Sequence, residues 1–293
     1  MREKLGLIPA REHVRRISRE YDRVSKEIAK ELMKIDVAGF KELQAASVQK
    51  NVNEMVGELN RTAVRWANKA SVDAYKEAMT KSIVTLEVLG AEKDPMFNNK
   101  AHYQAIEKFS DAMTDDLLRA NMSIKNTVNS YLGLARSAYT GLMQIQAFDA
   151  GDENIISDII EDTIAQGKAR YSASSRIYEY LRLKLLDGQF IDRAGRHYNL
   201  KDYSKMVART RLREMQSEAV KNTCEQYDND LVKFSQHHLP CPICAALEGR
   251  VFSLSGRHPT YPKIEKLPPI HPNCEHNVNP TSEIAIEFEE KYK

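Results

Sequence analysis

Apolar residues return at helical intervals through most of the first half of this chain. Val14, Ile17, Tyr21, Val24 and Ile28 step by 3, 4, 3 and 4, which keeps them on one stripe of a helix. Further along, Ile124, Val128, Tyr131, Ala135, Ala138, Leu142 and Ile145 repeat at 4, 3, 4, 3, 4 and 3. That is a strict heptad seam, as long helices packed side by side require. The stripes read first as the core of a bundle and second as an oligomerisation seam. Proline supports the helical reading, because it removes a backbone donor and clashes inside a helix. Of ten prolines, only Pro9 and Pro95 precede residue 240. Breaks fall on turn chemistry: GAEKDPMFNNK (90–100) separates an early helical group from a long helix near 101–147, and FDAGDEN (148–154) ends that helix. A further helix, weakened at Gly167, is expected to reach about Leu186. The spacing therefore predicts an elongated helical body over residues 1–185, with Trp66 and the tyrosines in its core.

The pattern changes at LLDGQFIDRAGRHYNL (185–200). Asp187-Gly188 is a turn signal, and Phe190-Ile191 and His197-Tyr198 flank Asp-Arg-Ala-Gly, which predicts a short hairpin. Over 200–230, Tyr203, Val207, Met215, Ala219 and Cys224 recur at helix-compatible intervals, with Cys224 as a small core residue. LVKFSQ and RVFSL, rich in β-branched and aromatic residues, predict strands. Residues 186–293 are thus expected to form a small α+β domain, and the fold class is mainly α.

Composition narrows the class without choosing a function. A chain of 293 residues has room for two domains, and 29% charged residues with a net charge of +2 describe an ordinary folded protein. No apolar run approaches the roughly 18 residues of a membrane helix. The N-terminal MREKLGLIPAREHVRR lacks the apolar core of a signal peptide, so synthesis in the cytoplasm is expected.

Cysteine use is uneven. None of the four cysteines precedes residue 224, and three of them share residues 241–276 with His258, His271 and His276. Clustered with histidines in a cytoplasmic chain, they point to a metal before they point to disulfides. Cys241-Pro-Ile-Cys244 is a knuckle that aims two sulfurs at one point; His271-Pro-Asn-Cys274 repeats the spacing, and His276 follows. Three thiolates and one imidazole make a Cys₃His set, which zinc binds as a closed tetrahedral site. The fourth ligand is open: His271, the favoured choice, mirrors the first knuckle, whereas His276 shares a face with Cys274 if that segment is extended. The competing readings are buried thiols without metal and a redox dithiol, which needs a helix start and a βαβ setting that the sequence does not display. A catalytic zinc needs an open position and a general base. Glu248 and Glu275 are near in sequence, but neither stands in a base motif, and the order of histidine and Cys-x-x-Cys reverses that of zinc deaminases. A structural staple, with no catalytic residue, is the expectation. His237 and His238, beside the first knuckle, are further competitors for the metal.

These residues carry a resemblance. The helix with Arg209-Thr210, the strand before Cys241-x-x-Cys244, the strand opened by Gly249, Val251 and Phe252, and the run Pro269, His271, Pro272, Cys274, His276 occur in one order. That order resembles the C-terminal domain of tailed-phage minor head proteins, the Mu-F-like head morphogenesis group and most closely its phage minor capsid protein 2 type. The resemblance spans about residues 195–280, around a third of the chain. It implies a low-copy virion protein, built into the head next to the portal vertex and acting in head morphogenesis and DNA packaging or delivery. Portal protein, capsid or scaffold proteins and packaged DNA are the implied partners, with no membrane in the assembled head. Some relatives carry an added toxin or ADP-ribosyltransferase domain; with only TSEIAIEFEEKYK after Pro280, none is expected here.

Charge adds one candidate surface. Residues 166–221 hold 13 Lys/Arg against 6 Asp/Glu in a chain whose net charge is +2. The sharpest part is Arg209, Arg211 and Arg213, which could meet nucleic acid or an acidic partner. The competing reading is a solvated helix face with internal pairs, Arg211 with Glu214 and Arg213 with Glu218. The alternative function from another class is a zinc-supported nuclease of the HNH kind, or another DNA-processing enzyme. For it, His237-His238 offers only a superficial match, because the pair precedes the first knuckle and lacks the following helix.

Overall fold

The first apolar stripe builds α1 (Ala10–Leu32), and Val14, Ile17, Tyr21, Val24 and Ile28 are all buried along it. The computed structural model describes residues 6–35, 40–94, 99–140, 190–191, 197–237 and 241–292. The outer face of α1 carries charge pairs one turn apart, such as Arg23 with Glu20 and Glu27, which keep it soluble and add little stability.

Two much longer helices follow, α2 (Glu42–Val88) and α3 (Lys100–Thr140). On α2 the buried stripe runs through Val48, Val52, Val56 and Leu59 and then through Ala63, Ala67, Ala70 and Ala74, none more than 2% exposed. The expected break after residue 89 is a Schellman turn, with Gly90 at φ 77 and Ala91 N–H donating to Leu86 O at 3.0 Å. On α3 the heptad residues Ile124, Val128, Tyr131 and Ala135 are buried. The side chain of Ala138, together with Leu142, Ile145 and the helix expected to reach about Leu186, lies outside the described residues.

The chain divides into two compact units assembled from separated stretches. One comprises Ser18–Ala63 and Leu117–Ser204. There α2 and α3 run antiparallel, because Arg136 pairs with Glu42 at 2.6 Å, Gln49 with Asn129 at 2.9 Å and Asn121 with Asn60 at 2.7 Å. Asn51 of α2 also donates to Glu31 of α1 at 2.7 Å. The expected hairpin belongs to this unit: β1 (Phe190–Ile191) pairs antiparallel with β2 (His197–Tyr198).

The other unit comprises Met1–Ile17, Val64–Asp116 and Lys205–Lys293. Its helical part is tied by buried polar groups: His13 Nε2 meets Asp73 Oδ2 at 2.9 Å, and Tyr75 O–H meets His102 Nδ1 at 2.8 Å. Asn222 Nδ2 donates to the same Tyr75 oxygen at 2.9 Å. Asn222 lies on α4 (Leu200–Gln226), where Tyr203, Val207, Met215, Ala219 and Cys224 are buried as their spacing requires. Asn199 caps α4 by accepting from Asp202 N–H at 2.7 Å, and Asp228 at φ 47 closes its far end.

After α4 come β3 (Leu231–Phe234), the single turn α5 (Pro242–Ala245), β4 (Val251–Ser253), β5 (Val278–Pro280) and α6 (Glu283–Lys291). The sheet order is β4-β3-β5, antiparallel throughout. Val220 and Cys224 of α4 pack on its inner face against Val232, Phe234, Phe252 and Val278. β3 and β4 match the sequence expectation, whereas β5 and α6 are additions to it. Pro280 argues against a strand until β5 is known to lie at an edge, where a missing N–H is tolerated. Gly249 enters β4 at φ 68, and a Cβ there would stand 2.6 Å from Gln236 Nε2, so this turn is built for glycine.

Candidate metal centre

Two backbone turns of the same form present the donors. In the first, Cys244 N–H donates to Cys241 O at 3.0 Å; in the second, Cys274 N–H donates to His271 O at 3.1 Å. Each therefore brings the side chains at its two ends to the same side. Asn273, inside the second turn, sits at φ 61, a conformation asparagine tolerates, and its N–H reaches Thr210 Oγ1 of α4 at 3.4 Å. Thr210 thus ties the second knuckle to the helix, a role invisible at a separation of 63 residues. The first knuckle does begin a helix, contrary to the sequence reading, because Pro242 suits the first position of α5. The sheet beside it is antiparallel, so the βαβ setting of a redox dithiol is not what surrounds it.

The donors form two overlapping groups. Cys241, Cys244 and His271 hold their ligand atoms within 4.8 Å of one another, and so do Cys244, Cys274 and His276. Either group can hold a metal ion, and Cys244 belongs to both. Zn–S and Zn–N bonds of about 2.3 and 2.0 Å put tetrahedral edges near 3.8 Å for S···S and 3.5 Å for S···N. The Cys244–Cys274 sulfurs are 3.8 Å apart and Cys274 Sγ lies 3.6 Å from His276 Nδ1, so these two edges have the spacing of a coordination sphere. Cys241 Sγ and His271 Nε2 are closer, at 3.1 Å. The alternation expected for an extended segment holds, with Cys274 and His276 buried and Glu275 exposed.

Each histidine has its second nitrogen engaged. His271 Nδ1 meets Pro272 O at 2.8 Å, and His276 Nε2 meets Glu248 Oε1 at 2.6 Å. Acceptors in these places fix the tautomer that leaves the other nitrogen's lone pair facing the sulfurs, as metal-binding histidines require. Glu248 also accepts from His237 N–H at 2.9 Å, and the bond from His276 holds its carboxyl below the ordinary range. Glu248 is therefore an orienting partner, whereas sequence reasoning considered it only as a base.

The thiols differ. Burial pushes the Cys244 thiol up to about 12, while the backbone N–H of Cys244 holds the half-exposed Cys241 thiol below its ordinary value. A bound cation reverses the first effect, since it deprotonates a coordinating thiol outright. His237 reaches the site through its ring, edge-on to His276 at 4.3 Å between centroids, and His238 lies outside the described residues. Cys224 is fully buried in the sheet core, away from the knuckles, with its thiol pushed up to about 12 by burial.

The basic segment divides. Arg211 donates to Asp116 Oδ2 at 2.7 and 2.9 Å and to Glu214 at 2.9 Å, the internal pairing weighed for it. The pairing weighed for Arg213 with Glu218 does not form: five residues apart, they lie on different faces of α4, and Glu218 takes Lys221 instead. Arg209 and Arg213 turn toward the second knuckle.

Among the described residues, no helix is long and apolar enough to cross a membrane. The family described as phage minor capsid protein 2 matches this chain over residues 14–283, from the first helix to the start of the last. No curated protein and no solved structure matches it.

Proposed function

The chain belongs to the phage minor capsid protein 2 family, and from that premise we propose that it is a structural component of the phage head, seated near the portal vertex and acting in head assembly and DNA packaging or delivery. The observation that carries this reading is the extent of the family match, residues 14–283, which takes in the helices as well as the knuckles. By role, residues 1–185 supply contacts with portal, capsid or scaffold proteins, and residues 186–293 carry the metal-held part. The metal is zinc, held by Cys241, Cys244 and Cys274 with one imidazole as a structural staple. The mirrored turn favours His271 as the fourth ligand, and the coordination spacing to Cys274 favours His276. Metal content of His271→Ala and His276→Ala decides between them.

The donor chemistry supports a staple over a catalyst. Glu248, the carboxylate beside the donors, is already bonded to His276 and His237 and is not free to move a proton. Heads purified from an infection in which residues 1–147 are deleted should lack the protein, because the contacts are assigned to the helices. Recovery of the truncated chain in normal amounts would overturn that assignment. Robust nicking of supercoiled plasmid with magnesium or manganese, abolished by His238→Ala, would instead establish the nuclease.

A further inference from the structure

Beside the second knuckle, with Cys274 itself in its wall, lies a cavity of about 290 Å³. Three arginines from two helices line it: Arg11 from the first turn of α1, and Arg209 and Arg213, one turn apart on α4. Gln216 and His237 add polar atoms, and Glu275 is the carboxylate in the wall. None of the three arginines forms an ion pair with a described carboxylate, whereas Arg211, between two of them in sequence, is fully committed to Asp116 and Glu214.

We propose that this cavity is a binding site for a phosphate-type oxyanion, gripped by Arg11, Arg209 and Arg213. Guanidinium groups present paired N–H donors that match the oxygens of phosphate, and their charge does not depend on pH in the working range. Three guanidinium groups against Glu275 in the wall and Glu77 near Arg213 leave an excess of positive charge, which favours a multivalent oxyanion over a lone carboxylate ligand. Burial draws the Arg213 guanidinium below its ordinary value, with Cys274, Glu275 and Glu77 opposing that effect. The cavity also has room for the ion with several waters, each occupying roughly 30 Å³. This inference rests on the cavity and not on the role assigned to the chain in the head.

Inorganic phosphate, titrated calorimetrically into the full-length protein at low salt, tests it. Saturable binding of one phosphate per chain is expected, weakened roughly tenfold or more in Arg209→Gln and Arg213→Gln through loss of charge-assisted hydrogen bonds. Arg11→Gln should weaken it less, and Arg211→Gln should leave it within about twofold, since that side chain is already paired. Thermal unfolding of each variant separates lost binding from lost folding, and Arg213→Lys keeps the charge while removing the fork, so it should fall between wild type and Arg213→Gln. A short duplex that competes with phosphate and shares the arginine dependence identifies backbone phosphate as the source. A duplex that does not bind identifies a free phosphate or phosphomonoester. Absence of saturable phosphate binding, or an equal loss in Arg211→Gln, would overturn the proposal.

Discussion

The long helices and the segment from Leu231 to Pro280 reach a folded state by different routes. Along α2, eight apolar residues from Val48 to Ala74 are buried at helical spacing, and loss of one leaves seven in place. Between β3 and β5 there is little repetition. Three strands of three or four residues share one small core, and donors from two turns converge on one point. A repeated seam tolerates damage in proportion to what is removed; a convergent site loses its organisation when any member is removed. The seam rests mainly on apolar side chains, whereas the thiols and imidazoles that face one another are a donor set that could hold a metal ion.

The largest expected effect breaks the contrast at its weaker side. Cys274→Ser or Cys244→Ser should abolish metal binding and release amide-exchange protection across residues 231–280, while most of the helical circular dichroism survives. The apparent binding energy of a structural zinc, about 10–16 kcal/mol, is comparable with or exceeds the total stability of a typical domain. Unchanged protection would mean that the sheet core holds the segment alone. On the other side, Leu59→Ala or Leu117→Ala should cost about 2–5 kcal/mol in denaturant unfolding, since both are at most 1% exposed, and should leave the metal content unchanged. Metal loss from either variant would show that the seam and the site are not separable.

How legible each region was in the sequence follows the same division. The helices announce themselves by period, because each buried residue implies the next: Val14 to Ile28 and Ile124 to Ala135 are buried as their spacing requires. The donors announce themselves by chemistry, since Cys-x-x-Cys and His-x-x-Cys have few other uses. What could not be read were relations across long separations. Thr210 under Asn273, Arg11 beside Arg213, and Glu248 behind His276 depend on how the turns dock, and no local spacing encodes docking. β5 escaped because Pro280 looks like a strand breaker until its edge position is known.

Smaller effects sharpen the comparison. Gly249→Ala should cost about 1–2 kcal/mol, from a positive φ that alanine resists, and should lower protection in β3 and β4 without touching the helices. The helical part carries a pH response of its own. Burial holds His13 below its ordinary 6.5, and Asp73 is held below 3.8 despite burial, by its bonds from Lys69 and His13. The stability that comes from keeping His13 neutral is complete above pH 6.5 and is lost as pH falls below it. The contribution of Asp73 is complete above 3.8 and is lost only at lower pH. Between pH 7 and 5, wild-type stability should therefore decline, with His102, also held below 6.5 by burial, sharing the loss, and His13→Gln should reduce that slope without abolishing it. An equal slope in the variant would assign it to other groups.

The central claim is that the knuckles close on a metal ion, and its most direct measurement is elemental analysis of purified full-length protein, paired with titration of its native thiols. The account predicts about one zinc per chain in the wild type, none in Cys274→Ser, and protection of Cys241, Cys244 and Cys274 from thiol reagent until a chelator is added. A wild-type protein without zinc, in which these thiols react freely while the fold is intact, would contradict it.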